Sequence, residues 1–272
     1  MAAQAQPGCH GVVLLLDNST AWAPLDFGDM FTAQLSEGIR WTVLRVASGE
    51  AIVPADLLEQ FNAFVLTGSR FNVRDREMLP WFNDLLALIR AVSGDAKKRM
   101  YGGCFGCQVI AVALGGSVGY NPPAVEEPGR RRFVLGAEIL CWVDSPATRS
   151  LLGEGPPPTG VKVIVSHGDC VLELPPDAEL LASSASCSVE AFVAGAHKNL
   201  LACQSHPEMD YEYSIRERIW PAVVEKNKRL TEVEELRAKA SFDAFGGRTE
   251  GPDLLMGAIN AFLLGPRSNT SS

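Results

Sequence analysis

Short apolar runs alternate with amphipathic stretches along the first 115 residues of the chain. The apolar runs are rich in Val, Leu and Ile, a composition that favours buried strands. In this part of the chain they lie at 11–16, 41–46 and 63–66, and similar runs follow at 139–143 and 161–165. Apolar residues recur at helical spacing in 26–36 and 78–92, which predicts helices there. Because strands that alternate with helices form parallel βαβ units, the pattern predicts an α/β fold.

The second half of the chain has a different pattern. Residues 130–206 are richer in strand-like runs, which predicts antiparallel hairpins added to the sheet. Beyond them the chain is predicted to be helical, and Thr231 and Glu234 have the spacing of a capping box at a helix start. The predicted organisation is a flexible N-terminus (1–10), one domain (11–264) that ends in a helical extension (213–264), and a disordered tail (265–272).

Composition narrows the class of protein and its partners. At 272 residues with 47% hydrophobic content, the chain is long enough for one sizeable soluble domain. A net charge of −8 argues against nucleic acid or an anionic membrane as a partner. No apolar run is long enough to span a bilayer, and the N-terminus lacks the features of a secretory signal. Seven irregularly spaced cysteines fit reduced thiols, so we expect a cytoplasmic protein.

Residues 101–108 carry the first candidate chemistry, with the sequence YGGCFGCQ. Cys104 lies between a predicted strand and a predicted helix, within the pattern Gly-x-Cys-x-Gly, which is the cysteine version of a nucleophile elbow. The helix dipole at this position favours a thiolate over a thiol. The N–H group of Phe105 is free at the helix start and can stabilise an oxyanion. The segment therefore predicts a cysteine nucleophile.

Other interpretations of the same cysteine remain open at this point. A buried cysteine in a glycine-rich turn can serve packing alone. Cys104 and Cys107 also form a Cys-x-x-Cys pair, which is typical of redox sites and of half of a zinc site. Zinc is disfavoured because the chain has no second Cys-x-x-Cys and no His-x-x-x-His, so we expect no metal. The redox interpretation predicts that a reversible Cys104–Cys107 disulfide silences the protein.

A candidate base and its orienting acid follow about a hundred residues later. His206 ends an apolar run and is followed by Pro207 and Glu208, so it is predicted to lie at a strand terminus, where active-site loops gather in α/β sheets. His10 and His197 have no carboxylate nearby in sequence. A thiol, an imidazole and a carboxylate are the minimum for covalent acyl transfer. The acid follows the histidine, which disfavours an α/β-hydrolase.

Four segments together resemble the class I (triad) glutamine amidotransferases. They are LTGS at 66–69, the elbow at 102–108, VSHGD at 165–169 and QSHPE at 204–208. The elbow is similar to the family's Gly-x-Cys-x-Gly-x-Gln, and the last segment matches its His-Pro-Glu signature. Thr-Gly-Ser in the first loop of a chain of this size is most similar to the free-standing γ-glutamyl peptidases. The resemblance covers residues 11–210 and implies a flavodoxin-like, open, mostly parallel sheet with helices on both faces.

The resemblance also implies roles for individual residues, and no cofactor. The implied catalytic triad consists of Cys104, His206 and Glu208. The implied oxyanion hole is formed by the N–H groups of Gly68 and Phe105. The positions that match the ends of a bound glutamyl group are Gln108, Ser166 and Asp169, and Asp169 is expected to face its α-ammonium group. His167 receives no role.

The resemblance favours a thiol hydrolase that cleaves γ-glutamyl amide bonds of glutathione or its conjugates. A glutaminase subunit that supplies ammonia to a separate synthetase is the alternative, and both use the same triad on a small-molecule γ-glutamyl substrate. The chain contains no Gly-x-x-x-x-Gly-Lys-[Ser/Thr] motif of its own. A catalytically inactive binding module is a third interpretation, and an intact Cys104, His206 and Glu208 argue against it.

Overall fold

The strands form one large sheet and two smaller pairs in the computed structural model, which describes residues 9–123, 129–245 and 250–265. The described strands are β1 (His10–Leu14), β2 (Arg40–Leu44), β3 (Ala63–Leu66), β4 (Arg99–Gly103), β5 (Ser117–Tyr120), β6 (Val134–Ile139), β7 (Cys141–Trp142), β8 (Lys162–His167), β9 (Asp169–Glu173), β10 (Glu179–Ser183), β11 (Ala191–Ala194) and β12 (Leu200–Cys203). The order in the main sheet is β2–β1–β3–β4–β12–β11–β10–β7. From β2 to β12 neighbouring strands are parallel, which confirms the predicted open, mostly parallel sheet.

Helices cover both faces of this sheet. They are α1 (Phe27–Thr32), α2 (Pro54–Gln60), α3 (Phe82–Ser93), α4 (Phe105–Ala113), α5 (Pro146–Leu152), α6 (Glu232–Asp243) and α7 (Glu250–Leu264). In β3, Phe64 and Leu66 pack on the side of α3 and α4, whereas Val65 packs on the side of α7. All four residues of β3 are fully buried, as expected for a central parallel strand that is covered on both faces.

Antiparallel additions complete the sheet, as predicted. Strands β12, β11, β10 and β7 pair antiparallel, and β5–β9 and β6–β8 form separate antiparallel pairs. The single strand predicted at 139–143 is divided between two sheets. Ile139 pairs with β8, Cys141 pairs with β10, and the Leu140 N–H donates to the Val161 carbonyl at 2.8 Å. The chain therefore changes partners at Leu140, which the apolar pattern alone does not reveal.

The helical extension also differs in detail from its prediction. Its first part consists of two wide π-type segments, Tyr211–Ile219 and Pro221–Lys226, in place of one regular helix. Within the second, the Asn227 N–H reaches back five residues to the Ala222 carbonyl at 3.1 Å. The predicted capping box is present, because Thr231 and Glu234 each accept the other's N–H.

The chain ends only partly overlap the described residues. The predicted flexible N-terminus extends to residue 10, but β1 begins at His10. The cause is the parallel ladder, in which Asn62 N–H donates to the His10 carbonyl at 2.8 Å and Arg40 N–H to the Cys9 carbonyl at 3.2 Å. Residues 1–8 of the predicted flexible N-terminus and residues 266–272 of the predicted tail lie outside the described residues. Within the described ranges, no helix is long and apolar enough to cross a membrane.

Close packing of α4 on β3 generates a stability prediction. A Cβ atom at Gly106 would lie 2.5 Å from the Leu66 carbonyl oxygen, which is a backbone atom that cannot move aside without shifting the strand. We expect Gly106→Ala to lower the free energy of unfolding by about 1–3 kcal/mol, the usual cost of overpacking a core. Denaturant unfolding measures the change.

Gly257→Ala is the matched control, since Gly257 is also a helical glycine but is exposed and has no atom within 4 Å of a Cβ at that position. It should raise stability by about 0.5–1 kcal/mol, because alanine favours a helix interior. Equal effects of the two substitutions would contradict the close approach at Gly106.

Candidate active site

Two neighbouring parallel strands bring the predicted nucleophile and base to the same edge of the sheet. Cys104 follows β4, and His206 follows β12. Gly103 and Cys203 are register partners, and the Cys104 N–H donates to the Cys203 carbonyl at 2.8 Å. The carboxyl ends of adjacent parallel strands are the usual position of a binding site in open α/β sheets.

Cys104 lies in a strained turn between β4 and α4. Its φ of 48° and ψ of −102° fall in a region that side-chain-bearing residues rarely adopt. Glycines make the turn possible, because a Cβ at Gly102 would lie 2.7 Å from the backbone of Gly106. The sulfur lies 4.0 Å from the Ser166 carbonyl, and the Gln204 Nε2 atom donates to it at 3.5 Å. The turn therefore places the sulfur beside β8 and the end of β12.

His206 connects Cys104 to Glu208. Its Nδ1 atom donates to the Glu208 Oε1 atom at 2.7 Å, and Cys104 lies close enough to its ring to influence its pKa. Burial alone would lower the pKa of His206, but the charges and hydrogen bonds of Cys104 and Glu208 prevail and raise it well above its ordinary value. The structure thus brings the three predicted triad residues together, with His206 hydrogen-bonded to Glu208 and electrostatically coupled to Cys104.

The imidazole is held between an aromatic ring and a glycine. Phe27 stacks on it with ring centroids 6.3 Å apart and an interplanar angle of 24°. On another side, a Cβ at Gly68 would lie 3.1 Å from the His206 Cε1 atom, so a larger residue would crowd the ring. Gly68 therefore contacts His206 directly, in addition to its predicted place in the oxyanion hole.

The two predicted oxyanion donors flank the nucleophile. Phe105 is the first residue of α4, directly after Cys104, and Gly68 follows β3, the strand beside β4. Among the described residues, neither N–H group donates to another protein group. A nearby side chain fixes the Gly68 loop, since the Thr67 hydroxyl accepts the Leu16 N–H at 3.0 Å and donates to the Gly68 carbonyl at 2.9 Å.

The predicted glutamyl-binding residues are also brought to this site, but two of them already have protein partners. Arg74 holds both carboxylate oxygens of Asp169, at 3.0 and 3.1 Å. Burial nevertheless raises the pKa of Asp169, and Arg74 only partly opposes the rise. The Gln108 Nε2 atom donates to the Asp169 carbonyl at 2.9 Å and to the Gln204 Oε1 atom at 3.2 Å. Ser166 contributes its carbonyl near the sulfur.

His167 is a second buried histidine with opposite electrostatics. Burial, with the nearby charge of His206, lowers the pKa of His167 to about 3, so the ring is neutral at physiological pH. Its Nδ1 atom lies 2.9 Å from the Asn121 Oδ1 atom, an acceptor, which requires the proton on Nδ1. The Nε2 atom has no partner among the described residues and therefore carries a lone pair.

These residues open into one pocket of about 240 Å³. Its polar end contains Cys104, His206 and Asp169. An apolar wall is formed by Trp22, Phe27, Phe133, Met209, Ile219 and Val223. The site thus places the reactive groups beside an apolar surface.

Sequence reasoning missed several residues that hold the pocket-lining side chains in place. Arg74 and Asn121 lie far in sequence from the residues they hold, and no local motif marks them. Gln204 was within a recognised segment but received no role, although its amide links Gln108 to the Cys104 sulfur. Its position two residues before His206, on the same strand end, was the available signal.

Cys104 and Cys107 are not joined in the structure, and the reversible disulfide that oxidation is expected to form between them stays a prediction. Both cysteines are free, and Cys107 is fully buried within the apolar cluster that contains α3 and α4. Burial raises the pKa of Cys107 well above its ordinary value, so its sulfur remains a thiol and does not readily attack another sulfur. In the part of the chain that the structure describes, no group of three or more His, Cys, Asp or Glu residues could hold a metal ion.

The coupling between Cys104 and His206 generates a titration prediction. We expect Cys104→Ser to lower the pKa of His206, because the charged sulfur that favours the imidazolium is removed. A pH titration of the imidazole resonances by NMR measures the shift. The pKa of His167 is about 3 in the parent, so of the two buried histidines His206 is the one that titrates at higher pH. An unchanged His206 pKa would contradict the coupling.

Known proteins share both the sequence and the fold. The family model of class I glutamine amidotransferases matches residues 24–214. Gamma-glutamyl peptidase 3 of Arabidopsis thaliana is 32% identical over 191 residues, 67% of this chain and 69% of that protein. A GMP synthase (glutamine-hydrolyzing) of Burkholderia cenocepacia is 29% identical over 205 residues, 72% of this chain and 34% of that protein.

Solved structures agree on the architecture. A glutamine amidotransferase from Thermotoga maritima is similar with a TM-score of 0.65 and 21% identity, over 95% of this chain and 97% of that one. Another, from Methylobacillus flagellatus, gives a TM-score of 0.66 and 21% identity, over 94% and 95%. The predicted resemblance is confirmed, and the chain belongs to the class I glutamine amidotransferase family.

Proposed function

We propose that this protein is a thiol hydrolase that cleaves the γ-glutamyl amide bond of glutathione or of glutathione conjugates. The observation that carries the proposal is the grouping in one pocket of Cys104, in its strained turn, with His206, whose ring is hydrogen-bonded to Glu208. Relatives named gamma-glutamyl peptidase support the bond type. The proposal includes a cytoplasmic location, where thiols stay reduced.

In the first half of the reaction, the Cys104 thiolate attacks the γ-carbonyl carbon of the substrate. Negative charge develops on the carbonyl oxygen, which the N–H groups of Gly68 and Phe105 stabilise. The imidazolium of His206 then donates its proton to the leaving amine, and the C–N bond breaks. The products are a γ-glutamyl thioester on Cys104 and the free amine.

In the second half, His206 acts in the opposite direction. Neutral after the first step, it takes a proton from water, and the resulting hydroxide attacks the thioester carbonyl. The C–S bond breaks, glutamate is released, and the imidazolium–thiolate pair is restored. Glu208 holds the imidazole so that Nε2 faces the sulfur, because the Nδ1 proton is committed to Glu208.

The substrate is placed by groups around the polar end of the pocket. Asp169 is assigned to the α-ammonium of the glutamyl group, and Gln108 and Ser166 line its sides. The apolar wall then faces the leaving group, which for glutathione is cysteinylglycine. An apolar wall suits a leaving group that carries a bulky substituent on its sulfur.

A glutaminase subunit that supplies ammonia to a separate synthetase is the alternative. The GMP synthases that are 29% identical to this chain support it, and they differ from the peptidases in the amine that leaves. The apolar wall favours the hydrolase, because ammonia has no apolar part to place against it.

Glutamate release by the purified protein tests the proposal. We expect release from glutathione and from a glutathione S-conjugate, with little from glutamine. Cys104→Ala should lower the rate by on the order of 10⁴-fold or more, since no other group can form the thioester. Coupled detection of free glutamate measures all three substrates in parallel.

Cys141→Ala is the matched control, because Cys141 is an exposed cysteine outside the pocket and should be dispensable. Release from glutamine alone would favour the ammonia donor. Undiminished release from the peptides by Cys104→Ala would contradict the proposed nucleophile.

A further inference from the structure

The charged groups around the pocket are not balanced within the protein. The charged side chains that line it, apart from the histidines, are Asp17, Arg70, Asp169, Arg218 and Arg229. Asp17 lies 4.0 Å from Arg70, and Asp169 is held by Arg74 from outside the lining. Both acidic groups therefore already have a guanidinium partner, and two further guanidinium groups remain. In a chain of net charge −8, this local excess of positive charge indicates an anionic ligand group.

Arg229 is the guanidinium with no acidic partner that lies nearest to Asp169. No carboxylate in the described ranges pairs with it, whereas Arg218 donates to the Ala23 carbonyl at 2.9 Å. The Arg229 guanidinium lies over the Phe133 ring, 4.3 Å from its centroid. Its backbone N–H donates to the Val223 carbonyl at 2.9 Å, which fixes the start of the side chain. The cation is therefore oriented although it is exposed at the pocket mouth.

The guanidinium lies beside the segment that carries the predicted glutamyl-binding residues. Its Nη2 atom is 3.3 Å from the position that a Cβ at Gly168 would occupy, and Gly168 directly precedes Asp169. Asp169 and Arg229 attract each other electrostatically but form no ion pair. Two opposite charges that face one pocket without pairing match the ammonium and carboxylate groups of an α-amino acid.

We propose that Arg229 binds the α-carboxylate of the γ-glutamyl group, while Asp169 receives its α-ammonium. This assignment rests on the proposed function, and it names the residue that selects a γ-glutamyl substrate over an amide without an α-carboxylate. Arginine suits the task because its planar donors match a carboxylate. Arg229 lies beyond the family match at 24–214, so the match itself does not account for it.

Two anilide substrates isolate the α-carboxylate. γ-Glutamyl p-nitroanilide has one carboxylate, the α-carboxylate, and 4-aminobutanoyl p-nitroanilide lacks it but keeps the amine. We expect Arg229→Gln to raise KM for the first about tenfold, equivalent to about 1.4 kcal/mol, with kcat nearly unchanged. For the second substrate we expect no change. Arg229→Lys should recover part of the loss, since it restores the charge without the planar donors.

Arg216→Gln is the matched control. Arg216 lies on the same extension, is exposed, pairs with Glu212 at 2.7 Å and does not line the pocket. It removes one positive charge without removing the contact, so its kinetics should equal those of the parent. A similar KM increase in both variants would overturn the assignment, because it would indicate a general charge effect.

Glutathione has two carboxylates, one on the glutamyl group and one on glycine, and a further comparison shows which of them Arg229 binds. If Arg229 binds the α-carboxylate, Arg229→Gln should raise KM equally for glutathione and for glutathione whose glycine carboxylate is converted to an amide. A KM increase for glutathione alone would overturn the assignment, because it would show that Arg229 binds the glycine carboxylate of the leaving group. An unchanged KM for γ-glutamyl p-nitroanilide would overturn it as well.

A binding measurement keeps the assignment independent of turnover. Calorimetric titration of Cys104→Ala with glutamate and with 4-aminobutyrate should show tighter binding of glutamate, and Arg229→Gln in that background should abolish the preference. If the parent protein hydrolyses none of the substrates, the proposed function fails. The binding data then still test the role of Arg229. If Arg229→Gln abolishes the preference for glutamate over 4-aminobutyrate, the assignment is supported, and if the preference persists, the assignment is overturned.

Discussion

The backbone of Cys104 is the constraint on which the rest of the site depends. Its φ of 48° and ψ of −102° cost on the order of 1–3 kcal/mol, and such a conformation persists only where its surroundings enforce it. The Cys104 N–H bond to Cys203 ties the strained residue to β12, and the contact of Gly106 with Leu66 fixes the start of α4 against β3. Because His206 leaves β12 three residues after Cys203, the pairing that holds the strain also brings the base to the sulfur.

Two buried histidines in one pocket show how local partners control charge. The charges of Cys104 and Glu208 raise the pKa of His206 despite its burial, so its ring can carry a proton. His167 has only neutral acceptors at hydrogen-bonding distance, and the positive charge of His206 lies nearby, so its pKa falls to about 3. The second histidine therefore does not compete for the catalytic proton. Its fixed tautomer presents an acceptor and keeps the pocket free of a second mobile charge.

The sequence predicts best what depends on short-range pattern. Strand β3 has the predicted bounds, because four consecutive apolar residues in a central parallel strand leave no ambiguity. The strand-end positions of Cys104 and His206 were likewise readable, since glycines and a proline mark where the strands stop. The ion pair between Arg74 and Asp169 is not predictable in this way, because the two residues lie 95 positions apart and only the folded chain brings them together. The division of 139–143 between two sheets was hidden for a related reason, since pairing partners are a tertiary property that apolar periodicity does not encode.

The helical extension is part of the site, although the family match ends at residue 214. Ile219 and Val223 contribute to the apolar wall, and Arg229 provides a cation at the pocket mouth. In the proposed reaction, the sheet supplies the strained cysteine, the histidine and the acid that cleave the amide, but these groups do not select the substrate. Selection requires contacts with the parts of the substrate that do not react. In this chain Ile219, Val223 and Arg229 of the extension are in position to make such contacts, so the proposed function assigns part of substrate recognition to the extension and the chemistry to the parallel sheet.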